Sequence, residues 1–333
     1  MKHLVVAVLS CVLLLLLAGC SSKDTAAPEA GWTDDQVSFT ADGLTLYGTY
    51  RHRPDTTGPA ALLISESGQT DRNGDNAVAG PVGNMRQLAE LLSDHDVATL
   101  RYDKVGTGRT GLGPFAARPA DVGSAVYTSH AAAALGFLAG QPGTDRERLS
   151  IYALGEGTIH AMTLAATAAP GAPKVHSLAL LQPLPGRYLD IITERVRRET
   201  DATVLNTWLA AVEDVRTKGT VPAQLPQSLS AIVNAGNVKA VAEADRIDPL
   251  ALAAKVPAGT PVLLTCSNTD GQARCDAERP LIAALAHTAL TVVELDGVNH
   301  VLRDDPTDNI ANYANGAPLS PQLVTALDGF AGK

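Results

Sequence analysis

Six short apolar runs, set apart by helix-like stretches, constrain this chain more than any other feature. They are Ala60–Ile64, Val97–Leu100, Leu149–Tyr152, Ser177–Leu181, Val262–Cys266 and Leu290–Leu295. Runs this short and this continuously apolar suit parallel strands buried on both faces. The stretches Asn84–Leu92, Asp121–Leu138, Thr158–Ala168 and Asp276–Ala286 read as helices. Parallel neighbours need a crossover, which a helix supplies, so the alternation predicts an α/β chain with a mostly parallel, doubly wound sheet. Ahead of it, Gln36–Thr40 and Leu44–Tyr50 alternate with period two around Ala41-Asp42-Gly43. That pattern predicts an antiparallel hairpin. The 333 residues suit one α/β domain with an insertion. Aromatic residues are only 4% of the chain, so Leu, Val and Ala must fill the core.

The stretch from 186 to 250 interrupts the alternation. Val204, Leu205, Trp208, Leu209, Val212 and Val215 fall on one helical face, and Leu189, Ile191, Ile192 and Val196 suggest a helix before it. Pro222 and Pro226 break the chain, and more helix runs to Asp248-Pro249. We read this segment as a helical cap between the sixth and seventh strands. A cap there is expected to roof the strand carboxyl ends, where such sheets bind ligands.

Lys2 and His3 precede an apolar run, Leu4–Leu17, that is short for a membrane span. It ends in Leu17-Ala18-Gly19-Cys20, which resembles the lipobox of bacterial lipoproteins. The resemblance implies cleavage before Cys20, lipid on that cysteine, and an extracytoplasmic, lipid-anchored protein. Acyl chains bury about 0.8 kcal/mol per methylene, so they can anchor a chain without a transmembrane helix. The expected organisation is a leader (1–19), a tether (20–35), a core (36–185), the cap (186–250) and the rest of the core (251–333). Losing the leader removes Lys2 and no acid from a chain of formal charge −9. An acidic body argues against nucleic acid as a partner and leaves membrane attachment to the lipid. Cys11 leaves with the leader. Cys266 and Cys275 remain, in an oxidising compartment, as a disulfide or as two free thiols.

The third run, the fifth predicted strand when the hairpin is counted, leads into Ala153-Leu154-Gly155-Glu156-Gly157 and then an Ala-rich helix. This matches the Gly-x-Ser-x-Gly nucleophile elbow in its strand, small residues and helix, with Gly155 in the serine's place. Three other segments join it. Ile64-Ser65-Glu66-Ser67-Gly68-Gln69-Thr70-Asp71-Arg72-Asn73-Gly74 is similar to a Gly-Ser-Gly…Asp-Arg-x-Gly loop. Leu100-Arg101-Tyr102-Asp103-Lys104-Val105-Gly106-Thr107-Gly108 is similar to Arg-Tyr-Asp-x-x-Gly-x-Gly. The last comprises Asp248-Pro249, Thr265–Asp270 and Leu295–His300. Together, over residues 37–330, the chain resembles the α/β-hydrolase family, in its bacterial secreted esterase and serine-aminopeptidase-like branch.

The resemblance implies an α/β-hydrolase fold, acyl transfer to water on a small ester or peptide, and no cofactor or metal. Triad order is nucleophile, acid, histidine. Asp270, past the seventh strand, takes the acid's place, and His300, past the eighth, takes the histidine's. Asp296 is a rival acid within the turn to His300. Backbone N–H groups of Glu156 and of the 66–69 loop, at Gly68 and Gln69, would form the oxyanion hole. These donors survive a side-chain change, so an anion site could persist despite Gly155.

Glycine has no side chain with which to attack. One reading is a degenerate hydrolase kept for binding or as an envelope protein, the glycine relieving ~1–3 kcal/mol of elbow strain. A second is a working hydrolase that uses a displaced nucleophile, Ser67 foremost, or a water activated by His300. A third is a shifted register or an unusual recorded residue, although a shift by one breaks both the strand and the small-residue pattern. Gly106-Thr107-Gly108-Arg109-Thr110-Gly111 mimics a dinucleotide loop, but Pro114 stands where a long helix should run. Asp71, Asn73 and Asp75 open like a calcium loop whose later positions, Asn76 and Val82, do not fit. His160 reads as a helix-surface histidine.

Overall fold

The computed structural model describes residues 31–167 and 170–331. The leader, Cys11, Cys20 and the tether up to residue 30 lie outside them. Eight strands form one sheet: β1 Thr33–Ala41, β2 Leu44–His52, β3 Gly58–Ile64, β4 Ala98–Tyr102, β5 Thr144–Leu154, β6 Ser177–Leu181, β7 Pro261–Ser267 and β8 Ala289–Leu295. Their spatial order is β1-β2-β4-β3-β5-β6-β7-β8. β1 pairs with β2, and β2 with β4, antiparallel; all other pairs are parallel. The predicted hairpin and doubly wound sheet are both present. The chain goes one way from β3 to β4 and the other way from β3 to β5, which opens a crevice beyond their carboxyl ends.

Period-two alternation sorts the strand residues between two core layers. Leu62, Ile64, Ile151 and Ala153 face one layer, with Ala134, Leu138 and Met162. Ala61, Leu63, Tyr152 and Leu154 face the other, with Leu88, Leu92 and Leu327. The helices are α1 Asn84–Ser93, α2 Ser124–Ala139, α3 Gly157–Ala166, α4 Tyr188–Glu199, α5 Ala202–Lys218, α6 Gln227–Ser230, α7 Val238–Arg246, α8 Pro249–Ala253, α9 Arg279–Ala284 and α10 Pro321–Asp328. Each fully buried Leu, Ile or Met contributes roughly 1.5–3 kcal/mol relative to exposure.

Helices α4 to α8 lie between β6 and β7; α4 to α7 carry their own core, centred on Leu189, Ile192, Trp208, Val212 and Val215, while α8 packs on the sheet's core through Ala253. Trp208 Nε1 donates to Thr193 Oγ1 at 2.8 Å, so its polar edge is satisfied where the ring is buried. Buried Asp245 accepts from the Leu189 N–H, Arg187 and Arg216, joining α7 to α4 and α5.

Several boundaries differ from expectation. β1 begins at Thr33, inside the stretch read as tether, because Thr33 and Asp34 continue the ladder to His52 and Arg51. α9 starts at Arg279, later than Asp276, with Pro280 in its first turn, where the missing proline N–H has no intrahelical partner to lose. Leu209 is exposed, since the buried stripe of α5 runs through Trp208, Ala211, Val212 and Val215.

Candidate active site

The strand–turn–helix at residues 149–166 is built as an elbow. Gly155 has φ +54°, the left-handed region that a side chain enters only under strain. Its N–H donates to Leu181 O, and its carbonyl accepts from the Thr158 N–H and hydroxyl, which ties the turn to β6 and to the start of α3. Gly157 must also be small, because a Cβ there would lie 2.8 Å from Ile64 O.

Asp270 and His300 come together although 30 residues separate them. His300 Nδ1 lies 2.8 Å from Asp270 Oδ2. Asp270 Oδ1 accepts from the Gln272 and Ala273 N–H groups, which fixes the carboxylate. Asp308 braces both loops: its carboxylate accepts from the His300 N–H, the Gly271 N–H and the Tyr313 hydroxyl. Arg303, fully buried, donates to Tyr313 O and Val82 O. The rival acid Asp296 is exposed and bonded to Asn268.

The space left by the missing elbow side chain is occupied. Glu66, just after β3, places Oε2 3.0 Å from His300 Nε2. A Cβ added at Gly155 would fall 1.7 Å from that same oxygen. His300 therefore sits between two carboxylates, with Glu66 where the serine of a Ser–His–Asp triad would stand. Burial pushes the His300 imidazole down, but the charges and hydrogen bonds of Asp270 and Glu66 outweigh it and raise its pKa well above 6.5. Burial pushes Glu66 up, but the His300 charge and hydrogen bond, aided by Ser67, hold it at about 2. Both shifts favour an ion pair between the His300 imidazolium and the Glu66 carboxylate.

This arrangement revises two expectations. Ser67 faces Glu66, its hydroxyl donating to Oε1, and does not address His300. The position a water would need at Gly155 holds Glu66 Oε2. The Ser67 N–H also serves the Glu66 carboxylate. Gly68 and Gln69 do line the same cleft as Glu66 and His300. The Glu156 side chain lies in a separate small space beside Tyr188 and Ile247.

That cleft has a volume of about 430 Å3. Its walls are Gln69, Asn76, Asn84 and Gln272, the hydroxyls of Ser67, Thr70 and Tyr313, and the aliphatic Val78, Val301 and Ile310. Glu66 and His300 are the only charged residues among those lining it. No residue of α4–α8 lines it; α4 borders a second cavity, shared with Gly271–Ala277. The cap thus does not roof His300 as expected, because the loops carrying Ala77–Ala79 and Ile310–Tyr313 wall the cleft instead.

Two further groups were not singled out from sequence. Lys104, buried in the Arg-Tyr-Asp segment, donates its Nζ to the Glu66 backbone carbonyl. Burial pulls its pKa down to about 8 despite the nearby acids Glu156 and Glu66. Glu278, at the start of α9, is wholly buried, and neither carboxyl oxygen has a hydrogen-bond partner among the described residues. Burial, with Asp270 nearby, raises it to about 9, so it is a neutral acid.

Cys266 and Cys275 form a disulfide, with Cα atoms 5.0 Å apart, that ties β7 to the far end of the loop carrying Asp270. His160 is buried, not on the surface; its Nδ1 lies 2.8 Å from Thr128 Oγ1, and burial lowers it to about 3. Asp71 accepts from the Asn73 and Asp75 N–H groups, and Asp75 from the Gly83 N–H. Two short 3-10 turns, Gly113–Phe115 and Pro119–Asp121, separate Gly111 from α2.

No protein-family model and no curated protein matches the sequence. Solved structures do. DcsB, determined in complex with a substrate analogue, superposes with a TM-score of 0.58 at 15% identity, over 90% of this chain and 98% of its own. The Pyrococcus furiosus esterase PF2001 gives 0.55 at 13% identity, over 91% and 92%. Est1E from Butyrivibrio proteoclasticus, with ferulic acid bound, gives 0.55 at 16% identity, over 83% and 97%.

Proposed function

From an α/β-hydrolase fold whose elbow carries no nucleophile, we propose a cell-envelope lipoprotein of ester- or peptide-hydrolase ancestry that no longer performs serine acyl transfer. It keeps the cleft beside His300 as a binding site for a small neutral ester or peptide. The envelope location rests on Leu17-Ala18-Gly19-Cys20. The loss of serine chemistry rests on one observation: the Glu66 carboxylate stands 3.0 Å from His300 Nε2, in the space a serine at position 155 would need. An imidazolium clamped by two carboxylates cannot accept a proton from a hydroxyl or a water, which removes the general base of acyl transfer. The neutrality of the ligand follows from the walls, which offer amides and hydroxyls and, beyond His300, no cation.

The test is hydrolysis of p-nitrophenyl acetate and butyrate by the full chain beside His300→Ala. Equal background rates are expected. Turnover that His300→Ala abolishes would sink the reading.

A further inference from the structure

We propose that a third cleft, walled by Arg72, Arg86, Arg101 and Arg109, binds a phosphate group. It shares no lining residue with the His300 cleft, so the proposal stands apart from the preceding reading.

Four separate segments bring the cations together. Arg72 lies in the loop after β3, Arg86 on α1, Arg101 on β4 and Arg109 in the loop after β4. Gln36 on β1 and Thr49 on β2 complete the wall of a cavity of about 390 Å3. The chain as a whole has a formal charge of −9, so this gathering of arginines is local and not a property of the surface at large.

The acids of the cleft do not satisfy those cations. Both oxygens of Asp103 are held by Arg72. Asp71 accepts from the Asn73 and Asp75 N–H groups. Asp34, itself exposed, binds Arg51 at 3.2 Å and reaches Arg101 only at 3.6 Å. Arg101 is the group that points to a ligand. Its side chain lines the cleft, is 5% exposed, and its Nε has no hydrogen-bond partner among the described residues. Its Nη1 donates to the neutral amide of Asn73. A buried guanidinium so weakly countered is costly. Burial lowers its pKa, and the charges of Arg72 and Arg86 add to this against Asp34 and Glu90. Arg109 lies over the Tyr47 ring, 4.4 Å from its centroid, and no carboxylate pairs with its side chain among the described residues. An anion held between them supplies the charge that both lack.

The walls then select the anion. A carboxylate offers two oxygens in one plane, which a single guanidinium fork satisfies, as Arg72 does for Asp103 in the same wall. Forks arriving from α1, β4 and the loop after β4 suit a tetrahedral oxyanion, whose oxygens point in separate directions. A phosphate monoester carries about −1.5 to −2 at neutral pH, enough to compete with Asp34 for Arg101. No aliphatic or aromatic side chain among the described residues lines the cavity, so an acyl chain or a nucleobase finds no surface there. The shared chemistry is a phosphate group, free or on a lipid headgroup. Asp34 follows Cys20 by 14 residues, a reach of at most about 50 Å, so an anchored chain brings a headgroup within range.

The experiment titrates the full chain with inorganic phosphate by isothermal titration calorimetry at pH 7, and with acetate in parallel. One saturable site is expected, at least about 10-fold tighter for phosphate than for acetate. Arg109→Ala, at an exposed position, should weaken phosphate binding about 10-fold and leave unfolding by urea unchanged. Arg101→Gln should abolish binding and leave the urea midpoint equal or higher, because it removes a poorly paired buried charge. An arginine that merely held the fold would lower that midpoint. Vesicles of phosphatidylglycerol, added as competitor, identify the source. Displacement of inorganic phosphate marks a lipid headgroup, and phosphate left bound marks a soluble ligand. No phosphate binding by the unaltered chain overturns the proposal. So does binding that neither variant weakens, or acetate binding as tight as phosphate. The unaltered chain and Arg109→Ala decide the matter even if Arg101→Gln fails to fold.

Discussion

Two carboxylates follow neighbouring central strands, and they are treated differently. Asp103, after β4, is 2% exposed, and Arg72 binds both its oxygens through Nε and Nη2 at 2.9 and 2.7 Å. The backbone N–H groups of Arg72 and Arg109 add two more donors. The planar guanidinium fork matches the carboxylate bidentately, so the pair is scaffolding that clasps the two loops together. Glu66, after β3, has a titratable partner and a side chain open to the cleft. The difference teaches which buried charge to read as chemistry: one is closed on every side, the other meets solvent beside a proton donor.

The largest expected effect comes from reversing the replacement at the open pair. Glu66→Gly with Gly155→Ser clears the 1.7 Å conflict and gives His300 a hydroxyl to address. Ester hydrolysis should rise by at least about 100-fold over the unaltered protein and vanish again on adding His300→Ala. No gain in a folded double variant would mean that the cleft itself no longer fits an ester.

Asp103→Ala should cost about 3–5 kcal/mol in denaturant unfolding, because it leaves Arg72 buried and unpaired. A loss no greater than that of Glu66→Gln would break the contrast between scaffold and site.

Gly155→Ser alone should destabilise the fold by about 2–4 kcal/mol, combining left-handed backbone strain with displacement of Glu66. It should confer no esterase activity. A stable, active single variant would show that Glu66 swings aside freely.

Glu66→Gln should have the smallest effect, about 1–3 kcal/mol, and a pH-dependent one. The carboxyl is lowered from 4.5 to about 2, so its contribution is present above 4.5 and lost as pH falls toward 2. His300 is raised above 6.5, so its contribution is full below 6.5 and is lost as pH rises through the folded-state value. The stability gap between the two proteins should therefore be widest between about 4.5 and 6.5 and narrow on both sides. A pH-independent gap would place the effect in packing alone.

Much of this was legible in the residues. The apolar runs predicted β3 to β8; β3, β4, β6 and β7 are buried on both faces, whereas the edge strand β8 is mostly exposed and was found by its apolar residues alone. Asp270 and His300 were found by their places after β7 and β8, because a strand's end delivers the next residues to the same rim. Glu66 was not found. It stands where the resembling loop has its first glycine, and Gly155 where the elbow has its serine, so the signal was a pair of departures from pattern. Decay was one reading of Gly155, and Glu66 alone carried no reading. Asp308 and Lys104 were missed for a similar reason: their roles lie in backbone groups they hold, which carry no residue type.

The sequence by itself determined the sheet, its two apolar layers, the elbow and the absence of a nucleophile at position 155. Those properties are set by periodicity and by the presence or absence of a side chain, both local. Only the tertiary structure decided what fills the gap. Glu66 and His300 are 234 positions apart, and their 3.0 Å contact exists because β3, β5 and the loop after β8 end at one rim. Charge state was decided there too, because an imidazole becomes a fixed cation only when folding sets carboxylates on both of its nitrogens.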